Sequence, residues 1–166
     1  MTNDAIKALL AELDANRPWH GIATPDSGLP PSAWSQATLL AATLWAEARG
    51  EGQLGMLMVG CVIRNRVKLA PRFGVDWRGV LLRPKQFSCW NAGDASGIRA
   101  CYPLRHDAAA WEIAARCAYD VYHERCPDLV DGADHYHATH VQPAWAALMT
   151  RTAEYGRHVF LRSGGA

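Results

Sequence analysis

The chain has 166 residues, 49% hydrophobic and 20% charged, with a formal net charge of +1. That is enough chain for one domain with a sizeable core, and a near-neutral charge without a basic stripe or arm argues against nucleic acid as a partner. No stretch approaches the ~20 consecutive apolar residues that cross a bilayer, and Met1-Thr2-Asn3-Asp4-Ala5-Ile6 has no basic region leading into an apolar run, so no secretory leader and no stable membrane insertion are expected.

Asn3 to about Asn16 reads as an amphipathic helix with Ile6, Leu9, Leu10 and Leu13 on one stripe. An arm rich in Pro and Gly follows from Arg17 to Ser32, and residues 1–32 are expected to pack on a main body of residues 33–166. Ser35 is a plausible N-cap for a helix running into Trp45-Ala46-Glu47-Ala48-Arg49. Gly50 is placed to end that helix in the left-handed conformation. The next helix, from about Gln53 to about Lys68, is apolar nearly all round and should be the buried centre of the fold, with Gly55 and Gly60 admitting close neighbours. Asn65 and Arg66 near its end face either inward polar partners or solvent.

Trp77 to Leu82 predicts a short helix, and Arg83 to Pro103 a long irregular loop. A third long helix should start at an Asp107 cap and end near Arg125, before Pro127, with Trp111, Ala114, Ala115, Ala118, Val121 and Tyr122 facing the core. Asp134-His135-Tyr136-His137 and His158-Val159-Phe160-Leu161 read as strands, and Pro143 to Leu148 as a short helix with Pro in its first turn. The fold class is therefore α+β, mainly helical: a helical core with a small antiparallel sheet. The five cysteines have no metal-type spacing; Cys61 and Cys117 read as small buried hydrophobes. Cys89 and Cys101 flank the loop and can bridge, although a reducing compartment opposes it.

The junction between the two central helices carries the chemistry. Glu47 falls in the last turn of one helix, whose partial negative charge favours a retained proton. Glu51 falls just before the next, where an anion is favoured. Carboxylates whose surroundings push their acidities apart are suited to acid–base work on a glycosidic bond, although a Glu-x-x-x-Glu pair is also a common solvated face. Seven tryptophans offer flat apolar faces for sugar rings as well as core packing.

The stretch Trp45-Ala46-Glu47-Ala48-Arg49-Gly50-Glu51-Gly52, the apolar helix ending in Val62-Ile63-Arg64-Asn65-Arg66-Val67, and the later blocks Gln86-Phe87-Ser88-Cys89-Trp90, Tyr136-His137, Val141-Gln142-Pro143-Ala144-Trp145 and Gly156-Arg157-His158-Val159-Phe160 resemble the SleB/CwlJ-type cell-wall hydrolases. The blocks stand in that family's order over about Leu39 to Arg162. The resemblance implies a fold similar to lysozyme and the lytic transglycosylases, with residues 33–166 as the catalytic domain. It implies peptidoglycan glycan strands as substrate, cleaved at the β-1,4 bond between N-acetylmuramic acid and N-acetylglucosamine. The family's catalytic Glu falls on Glu47 and its second Glu on Glu51. No cofactor or metal is implied. A compact lysin without a leader looks like a phage endolysin: a monomer made in the host cytoplasm that reaches the wall through holes made by another protein.

In that mechanism Glu47 is the general acid that protonates the glycosidic oxygen. Glu51 either stabilises charge or braces Arg49 and the junction. A second carboxylate serves a hydrolase, whereas a lytic transglycosylase needs one Glu, which later takes the proton of the muramic acid 6-hydroxyl as that oxygen closes a 1,6-anhydro ring. Gln86, Phe87, Ser88 and Trp90 are expected to line the groove, or to form a self-locked turn with Trp90 in the core; Tyr136 and His137 are expected to face Glu47 across it. Two other readings compete: a zinc amidase or peptidase using His135, His137 and His140, and a sugar-binding module without catalysis.

Overall fold

The computed structural model describes residues 1–15, 22–25 and 28–164. Helix α1 (Asn3–Ala15) lies across the N-terminal end of the central helix: Leu13 is buried, Leu9 and Leu10 pack on the core, and Gln53 donates a hydrogen bond to Asp14 at 3.2 Å. Of the predicted arm, Pro18 and Gly21 lie outside the described residues. Its later part is pinned by Trp34, whose indole N–H donates to the Leu29 carbonyl at 2.9 Å.

Helix α2 (Gln36–Ala48) starts where expected, with the Ser35 hydroxyl accepting from the Thr38 amide at 3.0 Å. It is buried from Thr38 through Trp45, so its far end is rigidly held. The chain does not break at Gly50. Arg49–Glu51 forms a 3-10 turn, and the residue in the left-handed region is Gly52, at φ +69°. Two glycines flank Glu51, and the turn defers the reversal to the second of them.

Helix α3 (Gly52–Lys68) is the buried centre, covered from Gly55 to Arg64. Gly60 works as predicted: a Cβ there would stand 2.8 Å from Val121. Asn65 turns inward to the Ala133 carbonyl at 3.0 Å, and Arg64 and Arg66 are both buried. Helix α4 (Trp77–Leu81) follows, capped by Asp76.

The segment from Arg83 to Pro103 is more ordered than its sequence suggests. It holds a 3-10 turn at Ser88–Trp90 and helix α5 (Ala95–Ala100), whose first turn is capped by Asp94 at 2.8 Å from the Ser96 amide. Helix α6 (Pro103–Tyr122) is two pieces joined at Asp107, which is extended and caps the second piece by accepting from Ala110 at 2.9 Å. It ends at Tyr122 rather than Arg125, because Glu124 turns left-handed at φ +55°.

Strands β1 (His135–Ala138), β2 (Met149–Tyr155) and β3 (His158–Ser163) form an antiparallel sheet in the order β1-β3-β2. Pro143 stands before a 3-10 turn at Ala144–Leu148 and is its cap, not part of its first turn. The observed architecture is the expected one, a helical core with a small antiparallel sheet. All five cysteines are free thiols, so Cys89 and Cys101 are not bridged; Cys61 and Cys117 are buried.

Candidate active site

Burial of the middle of α2 on α3 and α6 leaves its two ends partly at the surface, and Glu47 is carried half-buried at the second. The Tyr136 hydroxyl, from β1, donates to Glu47 Oε2 at 3.0 Å. Burial and then the Glu47 charge push the Tyr136 phenol well above its ordinary range, so it stays a donor. The Cys89 thiol feels the Glu47 charge; burial first, then that carboxylate, raises it, so it too keeps its proton. Cys89 is placed by the 3-10 turn at Ser88–Trp90, against which α5 packs.

Two further groups feel the Glu47 charge. Arg66, from α3, is 6% exposed and donates from Nε to the Asp134 carbonyl at 2.6 Å. Its burial presses it below its ordinary value, against the pull of Tyr136, Asp134 and Glu47. His158, from β3, meets the Tyr136 ring edge-on at 5.1 Å. Burial lowers its pKa, against the charges of Glu51 and Glu47, and its Nδ1 is buried without a partner. The sequence reading gave Arg66, Cys89 and His158 no part in the site, although all three stand inside motif blocks.

Glu51 is built into a different contact. Its side chain is 5% exposed and accepts from Arg157 twice, from Nε at 2.7 Å and from the backbone amide at 3.1 Å. The partner is therefore Arg157 of the β2–β3 turn, not Arg49, whose guanidinium lies over the Trp45 ring at 4.4 Å. Gly156, at φ +55°, makes the approach possible, since a Cβ there would stand 1.8 Å from Glu51 Oε2. Burial alone would raise the Glu51 carboxyl, but the hydrogen bonds and charge of Arg157 outweigh it and hold the group below its ordinary value of 4.5.

This has a consequence for stability. Asp134 is also held below its ordinary 3.8: burial opposes the charge, and bonds from Ser163 and His135 outweigh it. A carboxylate held low in the folded state stabilises above its unfolded value, and that contribution is lost as pH falls through the folded one. A buried neutral His158, ordinarily 6.5, adds stability that starts to go below about pH 6.5. The melting temperature should therefore fall in two stages, below about pH 6.5 and again below about pH 4.5. In Glu51→Gln the second stage should be shallower and the first somewhat deeper, because the Glu51 charge that opposes the lowering of His158 is gone. Thermal unfolding by circular dichroism from pH 3 to 8 checks this, and identical acid limbs would refute it.

The predicted groove residues divide. Gln86 is half-buried and Ser88 exposed, so both are accessible. Phe87 is corrected: at 1% exposure it cannot stack on a sugar, and it packs beneath the site with its ring 5.3 Å from the Arg66 guanidinium. Trp90 is tied into the core side, its indole N–H donating to Thr43 at 3.0 Å. His137 is corrected too. Neighbours in a strand point to opposite faces, so Tyr136, paired with Phe160, faces the core, whereas His137, paired with Val159, lines a cavity of about 590 Å³ on the other face of the sheet. There His135 and His137 flank Trp145, at 5.2 and 5.8 Å. His135 is engaged by Asp134 at 2.7 Å, His140 is exposed, and among the described residues no three His, Cys, Asp or Glu side chains converge as a metal site would need.

A family model of enzymes that degrade the cell wall matches most of the chain. More particularly, the chain belongs to the cell wall hydrolase family, whose model matches residues 50–161; Glu47 stands three residues ahead of that span. Two solved structures share the fold. The catalytic domain of the germination-specific lytic transglycosylase SleB from Bacillus anthracis is 22% identical, with a TM-score of 0.60 over 82% of this chain and 98% of that one. The catalytic domain of the Bacillus cereus SleB protein is 21% identical, with a TM-score of 0.57 over 89% of this chain and 98% of that one. No curated protein sequence matches the chain significantly.

Proposed function

We propose that the protein cleaves the glycan strands of peptidoglycan at the β-1,4 bond between N-acetylmuramic acid and N-acetylglucosamine, as a lytic transglycosylase with Glu47 as its acid and then its base. One observation carries the choice of mechanism: Glu47 is half-buried and reachable, while both oxygens of Glu51 accept from Arg157. A hydrolase of the two-carboxylate kind needs a second carboxylate free to attack or to activate water. A transglycosylase needs one.

Glu47 gives its proton to the glycosidic oxygen as the C1–O4 bond breaks, leaving a 4-hydroxyl on the departing N-acetylglucosamine. The resulting carboxylate then accepts the proton of the muramic acid 6-hydroxyl, whose oxygen bonds to C1. Tyr136 remains protonated throughout and keeps the carboxylate aimed. Gln86 and Ser88 are the accessible polar groups of the groove for acetamido and hydroxyl contacts. Glu51 is, on this reading, a brace between the α2–α3 junction and the β2–β3 turn.

Support comes from the family, from the lytic transglycosylase activity of one structural neighbour and from the geometry of Glu47. The deciding experiment is mass spectrometry of digested peptidoglycan. Muropeptides ending in 1,6-anhydro-muramic acid, lighter by one water than their hydrolysed counterparts, are the expected products; reducing ends alone would overturn the transglycosylase reading. We extend the proposal to the setting, host lysis by a phage enzyme acting as a monomer. Expression in a bacterium with and without a hole-forming membrane protein tests it, lysis being expected only with both.

A further inference from the structure

We infer that the pocket formed by Arg49, Arg99 and His106 beside the end of α2 is a carboxylate-binding subsite, and that its ligand is the acidic stem peptide carried by muramic acid. The inference rests on the reading of peptidoglycan as substrate and deepens it, since it names the part of the substrate by which strands are selected.

The pocket encloses about 270 Å³ and is lined by Trp45, Arg49, Arg99, His106 and Asp107. It is held rigidly from below. Trp45 is 1% exposed, and its indole N–H donates to the Asp107 carbonyl at 3.1 Å. That bond ties α2 to the bend between the two pieces of α6, where the Asp107 carboxylate accepts from the Ala110 amide. His106 stands next to the bend. The Arg49 guanidinium lies over the Trp45 ring, 4.4 Å from its centre, and stacking on an aromatic face orients its planar set of donors. Arg99 enters from the last turn of α5.

These cations are not satisfied within the protein. Arg49 has only the Trp45 and Ala46 carbonyls, at 3.5 and 3.4 Å, both beyond the usual range of such bonds. Glu51, two residues further on, is taken by Arg157. Among the described residues Arg49, Arg99 and His106 form no ion pair, and the pocket's own carboxylate, Asp107, serves as a helix cap. Two guanidiniums and an imidazole around one opening supply an excess of donors and of positive charge, which suits a carboxylate gripped by two parallel N–H bonds.

The hydroxyl and acetamido groups of a glycan strand are neutral. Its acidic groups sit on the muramic acid substituent, either as the bare lactyl carboxylate or, where a peptide is amide-linked there, as the carboxylates of that peptide. Position separates the two. Trp45 and Glu47 are about 200° apart around the helix axis, so the pocket opens on the α6 side of α2 while Glu47 meets Tyr136 on the sheet side. A helix with its side chains is ~10–12 Å across. The lactyl carboxylate hangs close to the sugar ring and falls short of that distance, whereas an extended peptide at ~3.3–3.6 Å per residue covers it in three or four residues.

The experiment gives wild type, Arg99→Glu and Arg99→Lys three soluble substrates: peptide-bearing strands, the same strands with their carboxylates converted to amides, and strands stripped of peptide. Arg99 is exposed, so its variants should fold, which thermal unfolding checks. Wild type is expected to prefer the native peptide-bearing strands by about tenfold in kcat/KM over each of the other two, the scale of one charge-assisted hydrogen-bonded contact. Arg99→Glu should bring both ratios to about one, and Arg99→Lys should keep most of the preference. Binding of the free stem peptide, followed by NMR shifts of the pocket residues, needs no cleavage and should be present in wild type and lost in Arg99→Glu. A wild type without the preference, or a preference that Arg99→Glu leaves intact, overturns the inference. So does a preference for stripped over amidated strands that Arg99→Glu abolishes, which assigns the pocket to the lactyl carboxylate. Should Arg99→Glu not fold, the wild-type ratio of native to amidated strands decides alone. Peptide binding without cleavage of any strand would instead overturn the proposed function and leave the pocket's assignment standing.

Discussion

Glu47→Gln is expected to lose at least about a hundredfold in wall lysis while keeping its fold. General acids contribute roughly 10²–10⁴ in rate, and an amide has no acidic proton to deliver. The substitution is otherwise gentle here. Gln matches Glu in shape, and its carbonyl can still accept the Tyr136 hydroxyl that now reaches Oε2 at 3.0 Å. The melting temperature should stay within about two degrees of wild type, as for a surface change without loss of packing. Clearing of a peptidoglycan suspension, read beside thermal unfolding, separates the two quantities. Activity above a tenth of wild type in the folded variant would remove Glu47 from the role of acid. The same comparison for Glu51 has the opposite profile: a brace loses stability first and activity only through it.

The parts of the molecule that were legible in the sequence are those governed by local rules. Ser35, Asp107 and the stripe from Trp111 to Val121 announce caps and a buried face, and the structure has them there. Strand alternation already implied that Tyr136 and His137 point apart, so only one of them could meet Glu47. Other features depend on contacts far along the chain. Glu51 and Arg157 are 106 residues apart, and nothing near Glu51 foretells that partner. Strand β2 is masked by a register shift between Arg151 and Ala153, since a bulge interrupts the alternation by which a strand is recognised. Phe87 turns inward into the core beneath the Arg66 guanidinium, which comes from a helix far earlier in the chain. An apolar helix with two inward arginines, Arg64 and Arg66, was the available signal, and its meaning needed the neighbours.

Gly97→Ala tests how tightly the site is supported from behind. Gly97 opens no turn; its backbone is ordinary helix within α5, so the substitution would on propensity alone stabilise by up to about 1 kcal/mol. The surroundings forbid it. A Cβ at residue 97 would stand 1.7 Å from the Cys89 carbonyl oxygen and 2.8 Å from its carbon, and backbone has no rotamer by which to move aside. Either α5 or the 3-10 turn at Ser88–Trp90 must shift, and the turn is tied to α2, the helix that carries Glu47, through the Trp90 indole and Thr43. Overpacking of this kind costs typically 1–3 kcal/mol and more where main chain is the obstacle. The expected result is a fall in melting temperature of about 5–10 degrees. A loss of lysis at temperatures where the variant is still folded should accompany it, because misplacing a supporting group by even 1 Å costs on the order of a hundredfold. Ile98→Ala is the control: the neighbouring side chain is 62% exposed on the same helix, so its loss should change stability by no more than about 0.5 kcal/mol. A Gly97→Ala protein with wild-type stability and activity would mean that the turn bearing Cys89 yields freely, and with it the claim that Glu47 works in a rigid socket would go.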